Sequence, residues 1–159
     1  MPADDTGIIL RAGEGAAIAL PNNAGALKVG DGETAGAYAL VEFQMPPGPV
    51  AGPPAHVHPH SEAFYVIEGT MDFLVGERRV RLEAGGFALV PGGQTHTFAN
   101  VGSDPARYLV LLSPAGYEGY FAEISALLRE NPGGPPDMEH VAAIGRRYGH
   151  EFRGPPLSV

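Results

Sequence analysis

The sequence predicts an all-β fold of short antiparallel strands followed by one or two helices, and three observations carry that prediction. The 23 Gly and 16 Pro among 159 residues punctuate the chain too often for long helices. Strand-like apolar segments separated by polar turns recur at the 8 to 12 residue spacing of sandwiches and barrels. A helical period appears only after Pro114.

From Gly7 to Met45 the apolar residues come in bursts, "GIILRAG", "AAIAL", "ALKVG" and "AYALVEFQM", split by turns such as "PNNAG" and "GDGE"; they read as three or four strands. "QMPPGPVAGPPA" is too rich in proline to hold a ladder and reads as a loop that delivers the chain to His56. Six strand candidates follow: "EAFYVIEG", "TMDFLVG", "RRVRLEAG", "GFALVPGG", "THTFANVG" and "ARYLVLLSP", with "EG", "VGE" and "AGG" as hairpin steps. Tyr117, Tyr120, Phe121, Ile124, Leu127 and Leu128 then share one face of a helix that Asn131 and Pro132 stop. A second short helix has Asp137 as its N-cap and Gly149 at its C-terminal end, with Val141, Ile144 and Tyr148 on one face. The tail "HEFRGPPLSV" reads as an extended strap or as disorder. Residues 1–114 are thus expected to form an antiparallel sandwich or barrel with N-terminal strands, and 115–159 a helical extension and tail of the same domain.

Composition excludes several classes of function. Zero Cys removes disulfides, thiolate metal sites and a cysteine nucleophile, so any metal ligands are nitrogen or oxygen donors. A formal net charge of -8 from scattered acids, with no basic stripe, argues against nucleic-acid and anionic-membrane partners. The start "MPADDTGIIL" lacks the positive charge of a secretory signal and no apolar run approaches a membrane span, so a cytoplasmic location is expected.

The chemistry concentrates in "PPAHVHPHSEAFYVIEG". His56 and His58, two apart, leave the same face of a strand about 6 to 7 Å from each other, within reach of one ion. Glu62 keeps that parity, and His96 in "PGGQTHTF" supplies a third imidazole. Three neutral nitrogens and a carboxylate suit a divalent first-row metal. His60 has the same parity, but Pro59 sets it on a turn, and a place on the rim of the substrate pocket or behind the ligands is expected. Phe64 and Phe98 each lie two residues from a proposed ligand and are candidates for pocket walls. Phe43, Phe73 and Phe87 read as core, His140 and His150 as surface residues of the tail, and "ERRVRLE" as a solvated face.

These residues resemble the two motifs of the cupin superfamily. The second motif is complete through Gly85, Pro91, Gly93, His96 and Asn100; the first runs through His56, His58, Glu62 and Gly69 and departs at its leading glycine, where Val50 stands between Gly48 and Gly52. The resemblance implies an antiparallel double-stranded β-helix, the jelly-roll cupin barrel. It also implies one divalent transition metal ion (Fe, Mn, Ni, Co, Cu or Zn) on His56, His58, Glu62 and His96.

The layout is similar to the single-domain quercetin dioxygenase-like group. That likeness implies a dioxygenase acting on a small enol or phenolic, flavonol-like substrate with molecular oxygen, Glu62 serving as ligand and general base. Two alternatives share the scaffold: an oxygen-independent metal isomerase, cyclase or lyase, and a non-enzymatic small-molecule-binding cupin. A homodimer is expected, with "GIIL" and "AIAL" as pairing strands.

Overall fold

A computed structural model describes residues 7–159. In chain order its elements are β1 (Ala16–Leu20), β2 (Asn23–Val29), α1 (Asp31–Thr34), β3 (Ala39–Met45), β4 (Val50–Ala51), β5 (Pro54–Val57), β6 (Ser61–Glu68), β7 (Thr70–Val75), β8 (Arg78–Glu83), β9 (Phe87–Val90), β10 (His96–Asn100), β11 (Ala106–Ser113), α2 (Glu118–Glu130), α3 (Met138–Arg147) and β12 (Glu151–Pro156). They form two six-stranded antiparallel sheets, one ordered β1-β2-β3-β11-β6-β9 and the other β12-β5-β10-β7-β8 with β4 also paired to β10. This is the expected jelly roll with C-terminal helices.

After β3 the chain alternates between the sheets, which changes the meaning of two turns expected to be hairpins. Only "VGE" joins paired neighbours, β7 and β8. "EG" and "AGG" carry the chain from one sheet to the other. At the first of these, Gly69 has φ +84° and a Cβ there would lie 2.6 Å from the Pro105 carbonyl oxygen, so both the turn and the approach require glycine.

The proline-rich segment pairs more than its composition suggested. Val50 and Ala51 bridge to Asn100 and Ala99, and Pro54 opens β5. The ladder survives because its donors come from the non-proline residues. Gly52 N–H bonds the Phe98 carbonyl at 3.0 Å, and a Cβ on Gly52 would stand 2.2 Å from that oxygen. The close approach thus falls two residues beyond Val50, where the first motif lacks its glycine.

Inward residues of the two sheets alternate with outward ones and build an aromatic core. Phe43, Phe64, Phe73, Phe98 and Tyr108 are buried against one another. Phe87, expected in this core, is instead 59% exposed. "FALV" is apolar at every position and therefore has no period that assigns a face. The register sets Phe87 beside Tyr65 and Leu89 beside Ala63, so an exposed apolar surface runs over β6 and β9 on the outside of the sheet.

"GIIL" forms no strand, and Ile9 is 92% exposed. "AIAL" is β1, whose Ile18 is buried and whose Ala19 N–H bonds Ser125 Oγ of α2. Along α2 the expected face is buried through Tyr120, Phe121 and Ile124. Asp137 caps α3 by accepting from the N–H groups of Glu139 and His140. The tail is ordered as β12, with Glu151 opposite Val57 and Phe152 opposite His56. Among the described residues no helix is long and apolar enough to cross a membrane.

Candidate metal centre

His56 lies on β5, His58 just beyond its end, Glu62 on β6 and His96 at the start of β10. The sheets bring them together because His96 pairs with His56 across the β10–β5 ladder while β6 faces that ladder from the other sheet. One donor atom from each of the four residues lies within 4.8 Å of all the others. All four side chains are buried, between 2% and 4% exposed. The cluster could hold a metal ion.

Each imidazole is fixed by a backbone carbonyl. His56 Nδ1 bonds the carbonyl oxygen of Pro54 at 2.8 Å, His58 Nδ1 that of His60 at 2.9 Å, and His96 Nδ1 that of Gln94 at 3.0 Å. A carbonyl only accepts, so each Nδ1 carries the proton and each Nε2 is left as a lone-pair donor.

Two of those Nε2 atoms, on His58 and His96, sit 3.0 Å from the same Glu62 Oε2. With Nδ1 already protonated, each contact requires either a second proton on the ring or a cation among the donors. A separation near 3 Å is what neighbouring donors adopt around an ion with bonds of about 2.1 Å. The donor chemistry therefore fits a divalent metal.

The electrostatics follow from this packing. Burial alone would raise the Glu62 carboxyl, but its bonds to His58 and His96 outweigh that and hold it far below the usual carboxylate range. Burial lowers His96 as well, yet the Glu62 carboxylate more than compensates and raises it. His56 has no direct carboxylate bond; burial and the neighbouring His96 depress it to about 4.

Above the cluster lies a cavity of about 300 Å³, lined by His56 and Glu62 together with Phe43, Phe64, Phe98, Tyr108, Tyr117 and Tyr120. Phe64 and Phe98 line this cavity, and Phe43 is both buried in the core and part of the lining. At the far side Tyr108 donates to Asn23 Oδ1 at 2.7 Å. His60 is half-buried and stands outside both the four-residue cluster and the cavity lining. Its carbonyl, not its imidazole, holds His58.

His150 corrects the expectation most sharply. Read as a surface residue, it is 3% exposed. Its ring stacks on His56 with centroids 4.8 Å apart and on Tyr120 at 4.6 Å, and its Nδ1 lies 2.7 Å from the Tyr117 hydroxyl. Burial and the facing His56 depress it to about 3. It precedes β12, and only the pairing of that strand with β5 brings it to the cavity, so no local spacing in the sequence signals it. His140, by contrast, is exposed as expected.

Sheet topology and buried donor set together define a cupin jelly roll with a potential metal site inside. Residues 41–112 match the Cupin domain family. The chain is 33% identical over 82 residues to the tetracenomycin polyketide synthase protein TcmJ of Streptomyces glaucescens, a match covering 51% of this chain and 55% of that protein. It is 38% identical over 60 residues to polyketide synthase CurC of Streptomyces cyaneus, covering 37% and 39%. The matches thus span about half or less of the length of these relatives.

The solved structure of KdgF from Halomonas sp. superposes with a TM-score of 0.61 at 18% identity, over 72% of this chain and 99% of that one. That likeness bears on the fold alone. These findings support the cupin superfamily; none of them separates out the quercetin dioxygenase-like group.

Proposed function

We propose that this protein is a metal-dependent enzyme acting on a small planar enol or phenol, as a dioxygenase. The observation that carries the reading is a four-donor cluster two of whose members, His56 and Glu62, line a largely apolar cavity rich in aromatic side chains. About 300 Å³ stands at the small end of ligand sites and suits a molecule of one to three rings.

A divalent ion on His56, His58, Glu62 and His96 would supply a Lewis acid that stabilises the deprotonated oxygen of an enol or phenol. The protein's own groups do the rest. Phe64, Phe98 and Tyr108 hold a flat ring by its faces and exclude water, strengthening every polar contact inside. Glu62, ionised at neutral pH and lining the cavity, is placed to accept the hydroxyl proton. The His carbonyl latches keep the cluster's geometry fixed while that proton moves.

A second reading is oxygen-independent cyclisation or isomerisation of an enolised polyketide-type compound, favoured by the names of the two curated relatives. Both readings share substrate deprotonation at Glu62. Metal-loaded protein mixed with 3-hydroxyflavone and with an enolisable cyclic 1,3-diketone in an oxygen-electrode cell separates them. Uptake of oxygen matched to loss of substrate supports the dioxygenase. Turnover that continues anaerobically transfers the assignment to the second reading, and binding without turnover by any loaded metal rejects both.

A further inference from the structure

Among the described residues only two buried side-chain polar atoms have no hydrogen-bond partner, His60 Nδ1 and His150 Nε2. Of the two residues, only His150 lines the cavity above the metal cluster. Native proteins pair nearly all such atoms, so an orphan in a cavity wall points to a ligand.

The protonation of this imidazole can be worked out from its neighbour. Tyr117 is 1% exposed, and among the described residues its hydroxyl has one hydrogen-bond partner, His150 Nδ1 at 2.7 Å. If Nδ1 carried the proton, the phenolic O–H would be left buried without an acceptor. With the hydroxyl donating to Nδ1, the tyrosine is satisfied and the histidine's own proton sits on Nε2. The orphan is therefore a donor. It is also rigidly held, since the ring is sandwiched between His56 and Tyr120, with Phe152 edge-on at 4.9 Å.

We propose that His150 Nε2–H binds a second oxygen of the substrate, a carbonyl or enolate oxygen, while the first oxygen meets the metal cluster. The ligand class is then a planar hydroxy-ketone or enolised diketone rather than a simple phenol. This rests on the reading of the cavity as a substrate site. Sites that hydrogen-bond a ligand oxygen discriminate strongly against analogues without it, so His150 sets specificity, with Tyr117 as a positioning residue that fixes its tautomer.

The test is isothermal titration of zinc-loaded protein with 2-acetyl-1-naphthol and with 1-naphthol, which lacks the ketone. His150→Phe keeps the stacking and removes the donor. It is expected to weaken 2-acetyl-1-naphthol by about 10- to 100-fold and 1-naphthol by less than about twofold, the worth of one buried hydrogen bond. Zinc content should stay unchanged. His150→Gln, which retains an N–H, should recover most of the loss, and Tyr117→Phe should weaken only the ketone, by a few-fold.

An equal loss for both ligands, or none for either, overturns the inference while leaving the cavity reading in place. Failure of the zinc-loaded wild type to bind either ligand overturns both. If His150→Phe does not fold, Tyr117→Phe decides by the same ketone-against-naphthol comparison.

Discussion

Two carboxylates in this molecule have nearly the same low exposure, Glu62 at 4% in the interior and Asp72 at 3% beneath two partly exposed arginines, and both are held below their usual pKa by donors at hydrogen-bond distance. Their partners differ. Asp72, on β7, accepts from Arg81 Nε at 2.8 Å and from Arg79 Nη2 at 2.7 Å across the β7–β8 ladder. Arginine stays charged at all relevant pH, so that network has a single state. Glu62 is bonded to two imidazoles that can gain or lose a proton or give their lone pairs to an ion. Low exposure and a lowered pKa are therefore common to a structural carboxylate and a chemical one; the identity of the partner separates them.

The largest effect that could break this comparison concerns metal affinity. His96→Ala and Glu62→Gln should each lower it by at least about 100-fold, beyond the 10- to 100-fold typical of groups behind the ligands. Elemental analysis after reconstitution measures it, and full occupancy in either variant would reject the donor set. Asp72→Ala should leave metal content untouched and cost about 2 to 3 kcal/mol of stability, as expected for hydrogen bonds to charged groups, read from urea unfolding.

pH dependence gives the next contrast. His56 and His150 have folded-state pKa values depressed to about 4 and about 3. Their contribution to stability is complete above the unfolded value near 6.5 and is lost as pH falls through the folded values. His96 is shifted upward and contributes in the opposite sense, its part being lost as pH rises through its folded value. The His96 part changes only above about 6.5 and does not offset them below it, so metal-free protein should lose on the order of a few kcal/mol between pH 6.5 and 4, and bound metal should flatten that slope. Asp72 acts only lower, since its depressed pKa makes its contribution complete above the unfolded carboxyl value, about 3.8, and lost below it. A urea midpoint independent of pH from 7 to 4 in metal-free protein would contradict this.

The smallest expected effect is Arg81→Ala. Arg81 is mostly exposed and Arg79 still holds Asp72, so the urea midpoint should move less than for Asp72→Ala. Removing one of the two histidines of Glu62 should, by comparison, empty the site.

The Glu62 half of this comparison was legible in the sequence because the four donors obey short spacing rules on strands. Asp72 was not, because its burial depends on Arg79 and Arg81 folding back across a hairpin that the sequence presents only as a charged run. His150 was missed for a related reason. It reaches the cavity only because β12 joins β5, a pairing between segments far apart in the chain, and no local period encodes it. Phe87 failed in the opposite direction, being strongly apolar in a strand whose facing only the β6–β9 register decides.

The carbonyl latches on the three imidazoles have a consequence for how such a site can diversify. The oxygens belong to Pro54, His60 and Gln94, and every amino acid brings the same carbonyl to those positions. Tautomer control is thus written in the main chain and is insulated from side-chain replacement there. New lineages could remodel the cavity walls, and so the compounds admitted, without retuning the donors beneath them.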